Sequence, residues 1–236
     1  MSDHTVRAYD QELDLLGQKI GEMGGVAQKM VSDAMESLSN FDAGLARTVV
    51  STDVRLDIME HDIEEQAIRT ICRRQPMACD LRAIIATIRI SGDLERIGDL
   101  AKSIAKEVIN ISPDLRMPRC IIGLRAMHEL AAHLLKDGIN AYVRRDAELA
   151  HNVWARDVDL DNLEDALFRD LLTFMMEDSR NISFCTHLLF CSKNIERIGD
   201  HATNIAEAVI YLVTGEVPPI NRPKGRSSTS VSTAMA

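Results

Sequence analysis

Residues 94–109, LERIGDLAKSIAKEVI, and residues 195–210, IERIGDHATNIAEAVI, are two copies of one sequence. Ten of the sixteen aligned positions are identical, including an unbroken Glu-Arg-Ile-Gly-Asp core. A fixed offset of this kind, 101 residues here, indicates that a structural unit has been duplicated. On a helix, the shared core also places two carboxylates four residues apart on one face in each copy.

The repeat extends upstream of this motif. Residues 53–60, DVRLDIME, match residues 157–164, DVDLDNLE, at an offset of 104. The connection between the second and third helix of each unit therefore differs by three residues between the copies. Hydrophobic periodicity and breakers predict six long helices, at about 2–40, 42–74, 80–111, 118–143, 146–176 and 182–215.

These features predict an all-α protein, because short connections make sequential helices antiparallel neighbours. We expect six long helices forming two pseudo-symmetric three-helix bundles, with the first repeat at residues 1–113 and the second at 114–215. Residues 216–236 are rich in Ser, Thr and Pro and lack an apolar period, which predicts a disordered tail.

The composition limits the function. Hydrophobic residues make up 46% of the chain and aromatic residues only 4%, so aliphatic side chains must carry the packing. A net charge of −9 argues against a nucleic-acid-binding surface and favours cations or basic protein surfaces as partners. No signal peptide and no run of 18 apolar residues is present, so we expect a cytoplasmic protein without direct membrane insertion.

The five cysteines are odd in number and form no CxxC pair. This pattern argues against a disulfide framework and against a thiolate zinc site. We therefore expect buried free thiols in a reducing compartment.

Acidic pairs with i,i+4 spacing occur four times, twice in each repeat. They are Asp53 with Asp57, Glu95 with Asp99, Asp157 with Asp161, and Glu196 with Asp200. If the pairs face each other across neighbouring helices, each bundle gathers about four like charges. A hard cation with oxygen ligands, such as Mg²⁺, Mn²⁺, Ca²⁺ or iron, would neutralise them. The pairs therefore predict metal binding.

Other interpretations remain open for these residues. The carboxylates could form a solvated acidic face with local ion pairs, since Lys102 lies three residues after Asp99 and Lys193 three before Glu196. Gly98 and Gly199 interrupt the motif helices at matching positions, which indicates close approach of either a bound cluster or a packed helix.

The chain resembles the PhoU family of bacterial phosphate-signalling regulators over residues 8–215. The resemblance is carried by RRQPMACDLR at 73–82, DLERIGDLAKSIAKEV at 93–108, MMEDSRNIS at 175–183 and NIERIGDHATNIAEAVIYLVTGE at 194–216. It implies the PhoU-like fold, a pair of three-helix bundles. It also implies that the eight paired carboxylates bind metal ions (iron, zinc, manganese or magnesium), with Glu60 and Glu164 as secondary candidates.

The resemblance further implies a non-enzymatic regulator of phosphate homeostasis. Such a protein represses the phosphate-starvation response and modulates uptake through the phosphate ABC transporter ATPase and a sensor histidine kinase. We expect a homodimer that is peripheral at the inner face of the membrane through these partners. The alternatives are a metal-free helical scaffold with an acidic docking face and, more remotely, a di-metal bundle enzyme.

Overall fold

The computed structural model describes residues 2–111 and 121–217, and this part of the chain is entirely helical apart from its connections. The α-helices are α1 (Ser2–Asn40), α2 (Ala43–Arg74), α3 (Cys79–Asn110), α4 (Ile121–Arg144), α5 (Ala147–Ala155), α6 (Asp157–Glu177) and α7 (Ile182–Thr214). A single 3₁₀ turn, Ser179–Asn181, precedes α7. The predicted all-α class with six long helices is confirmed, with α5 as an additional short helix.

Each repeat forms a three-membered bundle, with α1, α2 and α3 in the first unit and α4, α5–α6 and α7 in the second. The helices α3 and α7 lie back to back and join the two units, and α1 also contacts α4. Both units share one continuous hydrophobic core, which is mostly aliphatic. Three predicted features fall on residues that the structure does not describe: the boundary at 113/114, the helix start near Pro118, and residues 218–236 of the tail predicted at 216–236.

The turn between the first two helices is built in the same way in both units. Asp42, the N-cap residue of α2, accepts hydrogen bonds from the backbone N–H groups of Gly44 (2.8 Å) and Leu45 (3.0 Å). Asp146, its repeat counterpart, caps α5 by accepting from the Leu149 N–H (2.9 Å). The duplication therefore preserves the capping chemistry as well as the helices.

The predicted fifth helix, 146–176, is broken after Ala155. Arg156 has φ −92° and ψ −1°, and its N–H donates to the Val153 carbonyl (3.2 Å), three residues back. The backbone thus tightens to i→i−3 bonding for one turn before α6 begins. The prediction of one continuous helix was wrong at this point. The spacing of apolar residues continues through the break and therefore gives no sign of a single turn with i→i−3 hydrogen bonds.

The expectation of buried thiols holds for only part of the set. Cys185 and Cys191 are buried, whereas Cys72 and Cys79 are exposed at the two sides of the α2–α3 connection. Cys120 lies outside the described residues. In the part of the chain that the structure describes, no helix is both long and apolar enough to cross a membrane.

Candidate functional site

The predicted carboxylates lie along two matching helix seams, α2 against α3 and α6 against α7. Asp53 and Asp157 hold equivalent buried positions at one end of each seam. Glu95, Asp99, Glu196 and Asp200 lie on the facing helices and are partly buried. Asp57 is exposed, and Asp161 is partly buried. The structure therefore brings each Glu-Arg-Ile-Gly-Asp motif to one buried aspartate of the neighbouring helix.

Lys102 connects the two helices of the first unit. Its Nζ donates to Asp53 Oδ2 on α2 and to Asp99 Oδ1 on α3, the latter at 3.0 Å. The three-residue spacing of Asp99 and Lys102 predicts the first of these pairs. The contact with Asp53, which lies 49 residues away in the sequence, could not be predicted from the spacing. The first seam thus contains its own positive charge.

The two motif carboxylates of the first unit have opposite pKa shifts. Burial, with the neighbouring Asp99 charge second, raises the pKa of Glu95. Burial acts in the same direction on Asp99, but the hydrogen bond and charge of Lys102 outweigh it and lower the pKa of Asp99. Lys102 therefore lies at the end of the seam where the pKa of the motif carboxylate is lowered.

In the second unit Thr203 replaces Lys102. Its hydroxyl Oγ1 lies 3.1 Å from Asp157 Oδ1 and 3.0 Å from the Gly199 carbonyl oxygen, and it carries no charge. The lysine of this unit lies at the opposite end, where Lys193 Nζ pairs with Glu196 Oε1 at 2.9 Å. The repeat equivalent of Lys193 in the first unit is Gly92. The two units therefore place their one seam lysine at opposite ends.

Glu196 combines one paired and one unpaired carboxylate oxygen. Its Oε2 is buried and has no hydrogen-bond partner. Burial raises the pKa of Glu196, while the hydrogen bond from Lys193 acts in the opposite direction. The negative charge of Glu164 further raises the pKa of Glu196, and that of Glu60 further raises the pKa of Glu95. Both secondary metal-ligand candidates therefore lie close enough to their seams to influence the motif carboxylates.

The two motif glycines are explained by helix packing. A Cβ atom placed on Gly98 would overlap Leu56 Cδ1, and one placed on Gly199 would overlap Leu160 Cδ2. Leu56 and Leu160 are repeat equivalents and both are fully buried. Of the two interpretations that the sequence leaves open, close approach of a packed helix is the one that the structure supports.

The described side chains, at residues 11–111 and 121–217, do not form a preassembled metal site. Among them, no group of three or more His, Cys, Asp and Glu side chains converges so that it could hold a metal ion. In the first unit an ammonium group lies between Asp53 and Asp99, where an ion would have to bind. The buried and unpartnered Glu196 Oε2 suits an incoming cation.

A second polar feature, absent from the sequence-based predictions, lies where the two units meet. His201 Nδ1 is 2.8 Å from Asp93 Oδ1, and Asn204 Nδ2 donates to the same oxygen at 3.2 Å. Further along the same antiparallel pair of helices, His187 Nδ1 is 2.6 Å from Glu107 Oε2. Aligning the two repeats does not reveal these side-chain pairs, because the partners of Asp93 and Glu107 are not repeated at equivalent positions.

The Asp93 end of this interface opens into a cleft of about 400 Å³ between α2, α3 and α7. Glu60 and Glu95 of the first seam line one side, and Asn204 and Tyr211 of α7 line the other. Arg89 lies over the Tyr211 ring, 6.0 Å from its centroid. The first carboxylate seam is thus accessible from the junction between the units.

Comparison with known proteins agrees with this architecture. The family model for the PhoU domain matches twice, at residues 20–108 and 124–209, which are the two repeats. The chain belongs to the PhoU family. Both matches include the motif helix and the helix that packs its glycine, so the family assignment and the duplicated seams coincide.

PhoU-family proteins from bacteria match this chain over most of its length. It is 51% identical over 221 residues to the phosphate-specific transport system accessory protein PhoU homolog of Rhizobium meliloti, covering 94% of this chain and 93% of that protein. It is 45% identical over 224 residues to the protein of the same name from Caulobacter vibrioides, covering 95% and 97% respectively.

Solved PhoU structures share the fold. The crystal structure of PhoU from Pseudomonas aeruginosa superposes with a TM-score of 0.85 at 38% identity, covering 88% of this chain and all of that one. The phosphate transport system regulatory protein PhoU from Streptococcus pneumoniae gives 0.82 at 27% identity, covering 90% of this chain and all of that one. The predicted PhoU-like pair of bundles is confirmed.

Proposed function

We propose that this chain is a non-enzymatic regulator of phosphate homeostasis, which represses the phosphate-starvation response when phosphate is ample and restrains phosphate uptake. The observation that carries the proposal is the 51% identity, over 94% of the chain, to a protein named as an accessory of the phosphate-specific transport system. Because that similarity runs through both repeats, it reflects the whole architecture and not one motif.

In this proposal the partners are the ATPase subunit of the phosphate ABC transporter and a sensor histidine kinase. The chain works as a homodimer in the cytoplasm and reaches the inner face of the membrane through these partners. The names of the relatives, which refer to a transport system, support the first partner. The duplicated architecture supports having two docking faces, one for each partner.

The helix α6 offers a surface for such docking. It carries seven carboxylates and a single arginine, Arg169, whereas the aligned residues 53–73 of α2 carry six carboxylates and three arginines. Phe168, Leu172 and Met176 are exposed on α6 at four-residue spacing and form an apolar stripe. An acidic helix face with an apolar stripe is complementary to a basic amphipathic helix or groove on a partner.

The test is a pull-down of the transporter ATPase subunit and of the kinase by the tagged chain. Reversing two exposed carboxylates of α6, in Asp159→Lys/Asp170→Lys, should abolish capture of at least one partner. The matched control reverses two exposed carboxylates of α1, in Glu22→Lys/Glu36→Lys, and should leave capture intact. Equal capture by both folded variants would exclude α6 as the docking face.

Metal binding at the eight paired carboxylates remains part of the proposal. Its support is the repeat-related placement of the pairs on facing helices and the buried, unpartnered Glu196 Oε2. Since no ligand set is preassembled among the described residues, side chains must rearrange when an ion arrives. Elemental analysis of protein purified without chelator tests this: metal lost in Asp99→Ala/Asp200→Ala supports it, and no metal in either protein refutes it.

A metal-free scaffold is the second candidate, and one observation favours it. Lys102 already places a positive charge between Asp53 and Asp99 without any ion. If elemental analysis finds no metal while the pull-down succeeds, the seams are structural and docking alone carries the function.

A further inference from the structure

Lys102 holds a position that is unusual for a surface lysine. Its ammonium group bridges two carboxylates from different helices, Asp53 of α2 and Asp99 of α3. The Asp53 side chain is only 5% exposed and that of Lys102 only 26% exposed. This ion pair is therefore largely shielded from the solvent that weakens ordinary surface pairs.

A lysine is protonated at neutral pH, so the Lys102 side chain brings a positive charge to the two carboxylates that it bridges. A buried carboxylate such as Asp53 needs a positive partner, since removing the partner leaves an uncompensated buried charge. Lys102 thus supplies at this point what a bound cation would supply: positive charge shared between oxygens of two helices.

The second unit shows what the seam is like without this lysine. Thr203 holds the equivalent position, is fully buried and approaches Asp157 with a neutral hydroxyl. The surroundings are otherwise conserved between the repeats, because the Leu56–Gly98 packing recurs as Leu160–Gly199. At this position the first seam therefore carries a charged ammonium group, whereas the second seam carries a neutral hydroxyl.

We propose that Lys102 is a resident cation that takes the place of a metal ion between Asp53 and Asp99 and makes the α2–α3 seam independent of metal. This inference refines the metal-binding part of the proposed function by assigning the two units different cation requirements. Lys102 is a positioning residue in this account: it fixes the relation of α2 to α3 and excludes an ion from that place.

The experiment compares thermal unfolding of the wild type, Lys102→Met and Lys102→Thr in chelator and in Mn²⁺. Removing Lys102 leaves Asp53 unpaired, so the melting temperature in chelator should fall by roughly 5–10 °C. Mn²⁺ should restore most of the loss, and elemental analysis should find about one Mn²⁺ more per chain in Lys102→Thr than in the wild type. The control Lys106→Met removes an exposed lysine of the same helix and should show neither effect.

A second variant keeps the proposal testable if the single substitutions unfold. In Lys102→Met/Asp53→Asn the buried charge is removed together with its partner, so the chain should recover stability and take up no additional Mn²⁺. Loss of stability without Mn²⁺ rescue in the single variants, or Mn²⁺ uptake in the double variant, would overturn the resident-cation role. A wild type free of metal, together with Mn²⁺ rescue of Lys102→Met, would refute native metal binding while supporting the role of Lys102.

Discussion

The side chain of Leu56 fills the space that a side chain on Gly98 would otherwise occupy. A Cβ on Gly98 would overlap Leu56 Cδ1 and would lie 3.6 Å from Leu56 Cγ. The same relation holds between Leu160 and Gly199, where the Cγ distance is also 3.6 Å. The glycine of each motif lets its helix approach the neighbouring helix, which places the motif carboxylates beside Asp53 and Asp157.

Substituting these glycines by alanine should therefore destabilise the fold. Gly98→Ala and Gly199→Ala should each lower the free energy of unfolding by about 1–3 kcal/mol, because the added methyl group overpacks a filled core. Urea denaturation followed by circular dichroism measures the change. Gly25→Ala is the control, because a Cβ atom on Gly25 would meet nothing within 4 Å. Alanine favours the helix more than glycine does, so this substitution should raise the free energy of unfolding by about 0.5–1 kcal/mol. Equal effects at Gly98 and Gly25 would contradict the packing account.

Much of this arrangement could be predicted from the sequence, because the repeat encodes it twice. The six long helices, the duplicated unit and the repeat-related carboxylate pairs follow from periodicity and spacing. The cross-helix contact of Lys102 with Asp53 could not be predicted, since it depends on how α2 is rotated against α3. The interface groups Asp93 and His201 also escaped prediction, because packing of one unit on the other leaves no repeated signal.

The two units are joined by a buried hydrogen bond that a mutational cycle can measure. Thr87 Oγ1 of α3 and the Tyr142 hydroxyl of α4 are 2.7 Å apart. Tyr142→Phe should lower the free energy of unfolding by about 0.5–1.5 kcal/mol, the usual net contribution of such a bond. In Thr87→Val the same tyrosine substitution should have a smaller effect, and equal effects in both backgrounds would show that the bond contributes nothing.

Stability should decrease in mild acid because of His128. Burial lowers the pKa of His128 below its ordinary value of 6.5. The unfolded chain therefore takes up this proton first, and stability present above pH 6.5 is lost as the pH falls through the folded-state pKa. Between pH 7.5 and about pH 5.5, the wild type should lose more unfolding free energy than His128→Gln.

The control for this prediction is His133→Gln, which changes an exposed histidine on the same helix. Its loss of stability over the same pH range should match that of the wild type. If His128→Gln loses as much as the wild type, the histidine is not responsible for the acid sensitivity.

The thiols should divide into two reactivity classes. Burial, together with the charge of Glu107, raises the pKa of the Cys191 thiol, and Cys185 is equally buried, so neither should react with a thiol reagent in the native state. Cys72 and Cys79 are exposed and should react. In a Cys120→Ser background, Ellman's reagent should titrate two thiols in the native protein and four after denaturation. Four rapidly reacting native thiols would contradict the burial of α7.

The most direct test of the central claim is a phosphate-starvation reporter in a strain that lacks its own copy of this gene. In phosphate-rich medium the reporter is expected to be on in the empty strain and off when the wild-type chain is supplied. Asp159→Lys/Asp170→Lys should leave it on, and Glu22→Lys/Glu36→Lys should turn it off. A reporter that stays on with the folded wild-type chain would contradict the regulatory role.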